Sequence, residues 1–150
     1  MPIACRKAAK YLDAAVITCS DSRVIPEAIF SAGIGEIFTI RVAGNVIDKH
    51  QLGSIEYAKD HCGSHLILVL GHDHCGAVGA SMGDNPGGNV ASITEIIRKA
   101  IGDEKDDYKA GILNVKNSVL DIKNAISDPN VLVKGAMYRI ETGKVEFLED

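Results

Sequence analysis

The 150-residue sequence contains no tryptophan, only 5% aromatic residues and four cysteines. Its longest uninterrupted apolar run, residues 66–70, is far too short to cross a bilayer. The N-terminus lacks the apolar core and cleavage site of a secretory signal, so we expect a cytoplasmic protein. With a net charge of −4, the chain has no basic excess that would attract duplex nucleic acid. We therefore expect neither a membrane nor nucleic acid among its partners.

The residues that are present suit one ordinary globular domain. The chain is 46% hydrophobic and 24% charged, which is close to the average for folded domains. No internal repeat or long linker divides it. A chain of this length can bury about 68–70% of its unfolded surface, and so does not need disulfides to fold. The sequence therefore predicts a single domain over residues 1–150, in a reducing compartment where cysteines near histidine act as metal ligands or nucleophiles.

Strand-like and helix-like segments alternate along the chain. Short apolar runs predict strands at 14–19, 36–42, 66–70, 131–140 and 145–148. Pro26, followed by Glu27 in the first turn, predicts a short helix at 26–30. Apolar spacing of three and four residues predicts helices at 52–62 and 112–126. A further helix is predicted at 90–101, with Asn89 as its cap. Residues 81–88 read as a loop. This order predicts an α/β fold: a mostly parallel sheet flanked by helices, with one antiparallel edge strand after the turn at 141–144.

Three metal-binding side chains stand at the ends of predicted strands. Cys19 ends the first strand, and His72 and Cys75 follow the third. If these strands are neighbours, the three side chains converge at the carboxyl edge of the sheet, where α/β proteins bind ligands. Two thiolates and one imidazole suit zinc, and three protein ligands with an open fourth position are typical of catalytic zinc.

Two other interpretations of these cysteines stay open at this point. A buried cysteine at a strand end often serves only as a small apolar side chain. Alternatively, the zinc could be structural, with Cys5, Cys62 or His74 as a fourth ligand. His74 alternates with His72 and should point elsewhere, whereas Cys62 ends a helix on the far side of the third strand.

Asp21 and Arg23 follow Cys19 in a C-x-D-x-R pattern. At this spacing the guanidinium can pair with the carboxylate at the mouth of the predicted site. That pairing would keep Asp21 ionised and direct it to accept a hydrogen bond from a zinc-bound hydroxide instead of binding the metal. The alternative is an ordinary surface ion pair, which contributes little.

Several segments together resemble the β-class carbonic anhydrases. They are CSDSR at 19–23, AGN at 43–45, LGSIEY at 52–57, GHDHCG at 71–76, GA at 135–136 and TG at 142–143. They occur in the family's order and at family-like spacing, from about residue 14 to the C-terminus. The resemblance implies a carbonic anhydrase, a lyase that reversibly hydrates CO₂ to bicarbonate and a proton by attack of zinc-bound hydroxide.

The resemblance also implies roles for individual residues. Cys19, His72 and Cys75 would hold one Zn²⁺ per chain, and Asp21 with Arg23 would form the catalytic dyad. These are the same five residues that the local patterns single out.

Phe38 and Tyr57 match aromatic positions that, in plant-type members, line the substrate pocket from the partner subunit. The family forms dimers or larger assemblies of dimers, so the resemblance implies a homodimer or a higher assembly that takes CO₂ and bicarbonate. Two departures stand out. Lys10 occupies the position of a substrate-facing glutamine, and the N-terminal arm before the first strand is short.

Two rival functions remain. A related scaffold could hydrolyse COS or CS₂ at the same zinc, with the shape of the entrance deciding between the substrates. A non-catalytic zinc or redox-sensing protein is the rival from another class. The Asp21 and Arg23 pattern argues against that second rival, because a purely structural site does not need the pair.

Overall fold

In a computed structural model that describes residues 13–150, the chain forms one five-stranded sheet. Cys5 and Lys10, which enter two of the sequence-based interpretations, lie outside the described residues. The strands are β1 (Ala14–Thr18), β2 (Ile37–Arg41), β3 (Leu66–His72), β4 (Leu132–Tyr138) and β5 (Val145–Phe147). They lie in the order β2-β1-β3-β4-β5, and only β5 runs antiparallel to its neighbour. The predicted fold class is confirmed, with β1 and β3 adjacent.

In the described part of the chain five helices accompany the sheet, and most of their limits lie close to the predicted ones. They are α1 (Pro26–Ile29), α2 (Lys49–Cys62), α3 (Gly76–Met82), α4 (Ala91–Ile101) and α5 (Asp107–Ala125). Short 3-10 turns occur at Ala43–Asn45 and Gly88–Val90. Within residues 13–150, no helix is both long and apolar enough to span a membrane.

Two helices begin earlier than apolar spacing alone predicts, because aspartate caps extend them. The Asp48 side chain accepts the backbone N–H of His50, and Gln51 reaches back to the Asp48 N–H to complete a capping box. At α5, Asp106 accepts the Lys109 N–H at 2.8 Å. Both caps precede the first apolar residue of their helix, so apolar periodicity gives no signal of them.

The predicted loop and cap around residues 81–90 are partly wrong. Helix α3 extends through Met82, and its small residues give no apolar period that would have revealed it. Asn89 does not cap α4; it lies inside the 3-10 turn, and Val90 takes the cap position without a side-chain bond. Strand β3 continues to His72 because its pairing with β4 reaches as far as Tyr138.

Both faces of the sheet are buried, and this is why its central strands are apolar throughout. On one face, Ile17 and Val69 pack with residues of α2 and α5, and on the other, Val16 and Leu68 pack with α1. A third apolar cluster, formed mainly by α3 and α4, includes Cys19 and Cys75. The core therefore continues past the carboxyl ends of the strands and surrounds both cysteines.

The strand order positions the site. From β1 the chain passes to β2 on one side and later returns to β3 on the other. The carboxyl ends of β1 and β3 thus flank a switch point in strand order, where open α/β sheets bind their ligands.

Candidate metal centre

The structure brings Cys19, His72 and Cys75 together. Their ligand atoms all lie within 4.8 Å of one another, and all three residues are buried, with exposures of 5%, 2% and 4%. Cys19 directly follows β1, His72 is the last residue of β3, and Cys75 takes the N-cap position of α3. The convergence follows from the pairing of β1 with β3.

The tautomer of His72 is set by its backbone surroundings. Its Nδ1 lies 2.7 Å from the carbonyl oxygen of Asp73, which can only accept, so Nδ1 carries the proton. The lone pair is therefore on Nε2, which is buried and has no hydrogen-bond partner among residues 13–150. A ligating histidine has this arrangement: one ring nitrogen donates to a carbonyl, and the other is left for a metal.

The group fits a zinc ion. With Zn–S near 2.3 Å and Zn–N near 2.0–2.1 Å, tetrahedral ligand atoms lie roughly 3.5–3.8 Å apart, within the observed limit of 4.8 Å. Within residues 13–150, no fourth cysteine, histidine or carboxylate joins the group. His74 is mainly exposed, and Cys62 ends α2. A structural site completed by either residue therefore has no support among the described residues.

Cys19 is the more acidic of the two thiols. Hydrogen bonding from the Cys75 thiol, and to a smaller extent from the Gly44 N–H, lowers the pKa of Cys19 to about 4, against the opposing effect of burial. The pKa of Cys75 is raised in turn, because that thiol keeps the proton the pair shares and is itself buried. Zinc binds both cysteines as thiolates, so it would displace this proton.

The Ala43–Asn45 turn aims a backbone donor at Cys19. The Gly44 N–H lies 3.3 Å from the Cys19 Sγ, and Gly44 has a φ of 70°. A Cβ at this position would lie 2.7 Å from the Cδ1 atom of Ile97. Only glycine combines this backbone conformation with so close a contact.

Asp21 and Arg23 form a two-pronged pair beside the group. Arg23 Nε lies 3.0 Å from Asp21 Oδ1, Arg23 Nη2 lies 2.8 Å from Oδ2, and the Arg23 backbone N–H also donates to Oδ1. These bonds hold the pKa of Asp21 well below its usual range and raise that of Arg23. Asp21 Oδ2 lies 3.9 Å from His72 Nε2, so the carboxylate faces the candidate metal position.

Arg41, which no local sequence pattern indicates, holds the segment that carries Cys19 and Asp21. Its Nε donates to the Cys19 carbonyl at 3.1 Å, and its Nη2 donates to the Asp21 carbonyl at 2.6 Å. Arg41 is the last residue of β2, next to β1. The neighbouring strand thus fixes the backbone between Cys19, a candidate metal ligand, and Asp21.

Two buried polar residues of α5 hold the Gly44 turn in the same way. Asn114 donates to the Gly44 carbonyl at 2.8 Å, and Ser118 donates to the Asn45 carbonyl at 2.9 Å. They lie one helical turn apart on the buried face of α5. Polar residues on an otherwise apolar helix face are the sequence signal that could have identified them.

Phe38 and Tyr57 lie against each other, with ring centroids 6.2 Å apart. Tyr57 is 55% exposed. Phe38 pairs with Ala15, which precedes Cys19 by roughly 13 Å of extended chain. The two rings therefore lie away from the ligand group of their own chain.

Comparison with known proteins agrees with this geometry. A family model described as "Carbonic anhydrase" matches residues 14–145. The chain is also 37% identical to a carbonic anhydrase of Mycolicibacterium smegmatis, over 89% of this chain and 73% of that protein. The chain belongs to the β-carbonic anhydrase family. Its members are enzymes of the lyase class, and the predicted resemblance is confirmed.

Two solved structures share the fold of this β-carbonic anhydrase family member. A Coccomyxa β-carbonic anhydrase in complex with acetazolamide is 26% identical, with a TM-score of 0.80 over 97% of this chain and 79% of that one. A structure of two tetrameric β-carbonic anhydrases from Sordaria macrospora is 23% identical, with a TM-score of 0.76 over 93% and 81%.

Proposed function

We propose that this chain catalyses the reversible hydration of CO₂ to bicarbonate and a proton, at one zinc ion held by Cys19, His72 and Cys75. The observation that carries the proposal is the buried group of two thiols and one imidazole, with the His72 Nε2 directed into it and without a hydrogen-bond partner in the described part of the chain. Membership of the carbonic anhydrase family supports the reaction.

Zinc bound by these residues lowers the pKa of a coordinated water, which supplies a nucleophile near neutral pH. Asp21 would accept a hydrogen bond from the attacking water and so orient its lone pair toward the substrate. Arg23 keeps Asp21 ionised and fixes the direction of its oxygens through the two-pronged pair. The apolar cluster around Cys19 and Cys75 suits CO₂, an uncharged and apolar substrate.

The proposal includes a homodimer or a higher assembly. The resemblance implies that Phe38 and Tyr57 line the CO₂ site of a partner subunit, and their position away from the ligand group of their own chain is consistent with that role. The tetrameric Sordaria macrospora relatives support an assembly of this kind. Sedimentation velocity of the zinc-loaded protein tests it: we expect at least a dimer, and a monomer with full activity would contradict the role given to the two rings.

Single-domain organisation over residues 1–150 and residence in a reducing compartment complete the proposal. One sheet joins strands from Ala14 to Phe147, which supports a single domain. Two ligands of the proposed site are thiols, and a reducing compartment keeps thiols available for zinc.

Titration of zinc into metal-free protein, followed by stopped-flow CO₂ hydration, tests the proposal. We expect turnover to rise with bound zinc up to one per chain, and to increase from neutral into mildly alkaline pH as the coordinated water ionises. COS and CS₂ should be tested on the same preparation. Absence of CO₂ turnover at full zinc at every pH, with or without turnover of the sulfur analogues, would contradict the proposal.

A further inference from the structure

The short loop between His72 and Cys75 has an unusual conformation. Its residue His74 has a φ of 51°, in the left-handed region that residues other than glycine rarely adopt. The loop must nevertheless hold two proposed ligands at fixed separation. Specific contacts are therefore needed to keep it in this conformation.

The first half of the loop is held by the end of β4. The Asp73 N–H donates to the Tyr138 carbonyl at 3.2 Å, and the Asp73 carboxylate accepts the Ile140 N–H at 3.0 Å. These bonds continue the pairing of β3 with β4 beyond His72. They do not reach the strained residue or Cys75.

Asp107 and Arg23 hold the second half. Asp107 Oδ2 accepts the His74 N–H at 2.9 Å, and Arg23 Nη2 donates to the His74 carbonyl at 3.1 Å. Arg23 is also bound to Asp21. The backbone of His74 is thus held at its N–H and its carbonyl, and one of the two holding side chains belongs to the proposed catalytic pair.

The position of Asp107 follows from the way α5 begins. Asp106 is the N-cap, and its carboxylate accepts the Lys109 N–H of its own helix. Asp107 is the first helical residue. Its carboxylate makes no such cap but accepts the N–H of His74, 33 positions earlier in the chain. Further along α5, Asn114 and Ser118 hold the turn whose Gly44 N–H reaches Cys19.

We propose that Asp107 is a positioning residue of the zinc site. Through the His74 N–H it holds Cys75 at the separation from His72 that zinc requires, and it keeps the His74 carbonyl in place for Arg23. This role rests on the proposed function, because it assumes that the group binds zinc. Outer residues of this kind affect metal affinity although they never touch the metal.

Zinc release from three variants tests this role, with transfer to a chromogenic chelator as the readout. Asp107→Ala removes the acceptor, and we expect release about 10- to 100-fold faster than in the unmodified protein. In Asp107→Asn the amide oxygen can still accept the His74 N–H, so release should stay close to the original rate. Asp106→Ala is the matched control, because it removes the helix cap without touching the loop. It should lower the melting temperature and leave zinc release unchanged.

Two further measurements separate the hydrogen bond from other effects. His74→Asn removes the ring, whose Nδ1 lies 3.6 Å from the Asp107 carboxylate, but keeps the backbone N–H and tolerates the left-handed conformation. Its zinc release should match that of the unmodified protein. In cobalt-substituted protein, the visible absorption bands of Asp107→Ala should shift, while those of Asp106→Ala should not.

Several outcomes would overturn the role of Asp107. Zinc release rates and cobalt spectra in Asp107→Ala that match the unmodified protein would overturn this role and leave the proposed function intact. An equal acceleration of zinc release in Asp107→Asn and Asp107→Ala would have the same consequence. Faster release in Asp106→Ala would assign the effect to helix stability instead. Failure of the unmodified protein to bind zinc would overturn the proposed function together with this role.

Discussion

The ligand group and the Asp21–Arg23 pair lie side by side at one edge of the sheet, but they are held differently. Cys19, His72 and Cys75 are at most 5% exposed and come from strand ends and a helix cap. The side chains of Arg23 and Asp21 are 48% and 18% exposed, and the pair lies on a turn after β1. Burial among apolar side chains suits the proposed role of the three ligands, which is only to hold a metal. A partly exposed position suits the proposed role of the Asp21 carboxylate, which has to meet water and substrate.

The largest effects on CO₂ turnover are expected from one substitution in the ligand group and one in the Asp21–Arg23 pair. We expect Cys75→Ala to lose zinc and to lower CO₂ turnover by more than about 100-fold, because a thiolate ligand is gone. Asp21→Asn should keep one zinc per chain yet lose about 100-fold or more in turnover, since the carboxylate proposed to orient the nucleophile is neutralised. Metal analysis and stopped-flow hydration on the same samples measure both effects.

The comparison fails if the two variants behave alike. Loss of zinc from Asp21→Asn in proportion to its activity would make Asp21 part of the metal-holding group. Unchanged activity per bound zinc in Asp21→Asn would show that Asp21 takes no part in the reaction.

The buried ligand group can be tested separately at Gly44, with Gly143, in the turn between β4 and β5, as the control. Gly44 has a φ of 70° and Gly143 a φ of 71°, but a Cβ at Gly143 would meet nothing within 4 Å. Each alanine variant should lose about 1–2 kcal/mol to backbone strain. Gly44→Ala should lose about 1–3 kcal/mol more, because its Cβ would overlap Ile97. Urea unfolding of the zinc-free proteins measures the difference, and equal losses would show that the Gly44 turn is not tightly packed.

The smallest effect is expected in the Asp21–Arg23 pair, as a change in the pKa of Asp21. Arg23→Gln should raise the pKa of Asp21 toward its ordinary value, because the charged hydrogen bonds are lost. In the unmodified protein the lowered pKa stabilises the fold above about pH 4 and ceases to do so as the pH falls through the folded-state value. That contribution should shrink in Arg23→Gln.

Carbon NMR of the Asp21 carboxyl measures the shift. Arg41→Gln is the control, because Arg41 donates to the backbone carbonyls of Asp21 and Cys19 and not to the Asp21 carboxylate. An unchanged Asp21 titration in Arg23→Gln, or an equal shift in both variants, would contradict the assignment of the low pKa to the Arg23 pair.

The fold class, the converging ligand group and the adjacent pair could all be predicted from the sequence. Cys19, Asp21 and Arg23 are near neighbours in the chain, and His72 and Cys75 follow a strongly apolar strand. Alternation of strands with helices then indicates that such strand ends meet at one edge.

The partners of the residues that support the site could not be predicted in the same way. Arg41, Asp107 and Asn114 act on partners 22, 33 and 70 positions away. Such contacts depend on the packed arrangement of the elements, which local spacing does not specify. Helix α3 was missed for a different reason: its burial comes from neighbouring elements, and its small residues carry no period of their own.

X-ray absorption spectroscopy of the zinc-loaded protein tests the central claim most directly. We expect two sulfur neighbours near 2.3 Å, one histidine nitrogen near 2.0–2.1 Å and one further light atom from solvent. The Cys75→Ala protein, if loaded with excess zinc, should retain one sulfur at most. Four protein ligands, or a shell without two sulfurs, would contradict an open zinc site built from Cys19, His72 and Cys75.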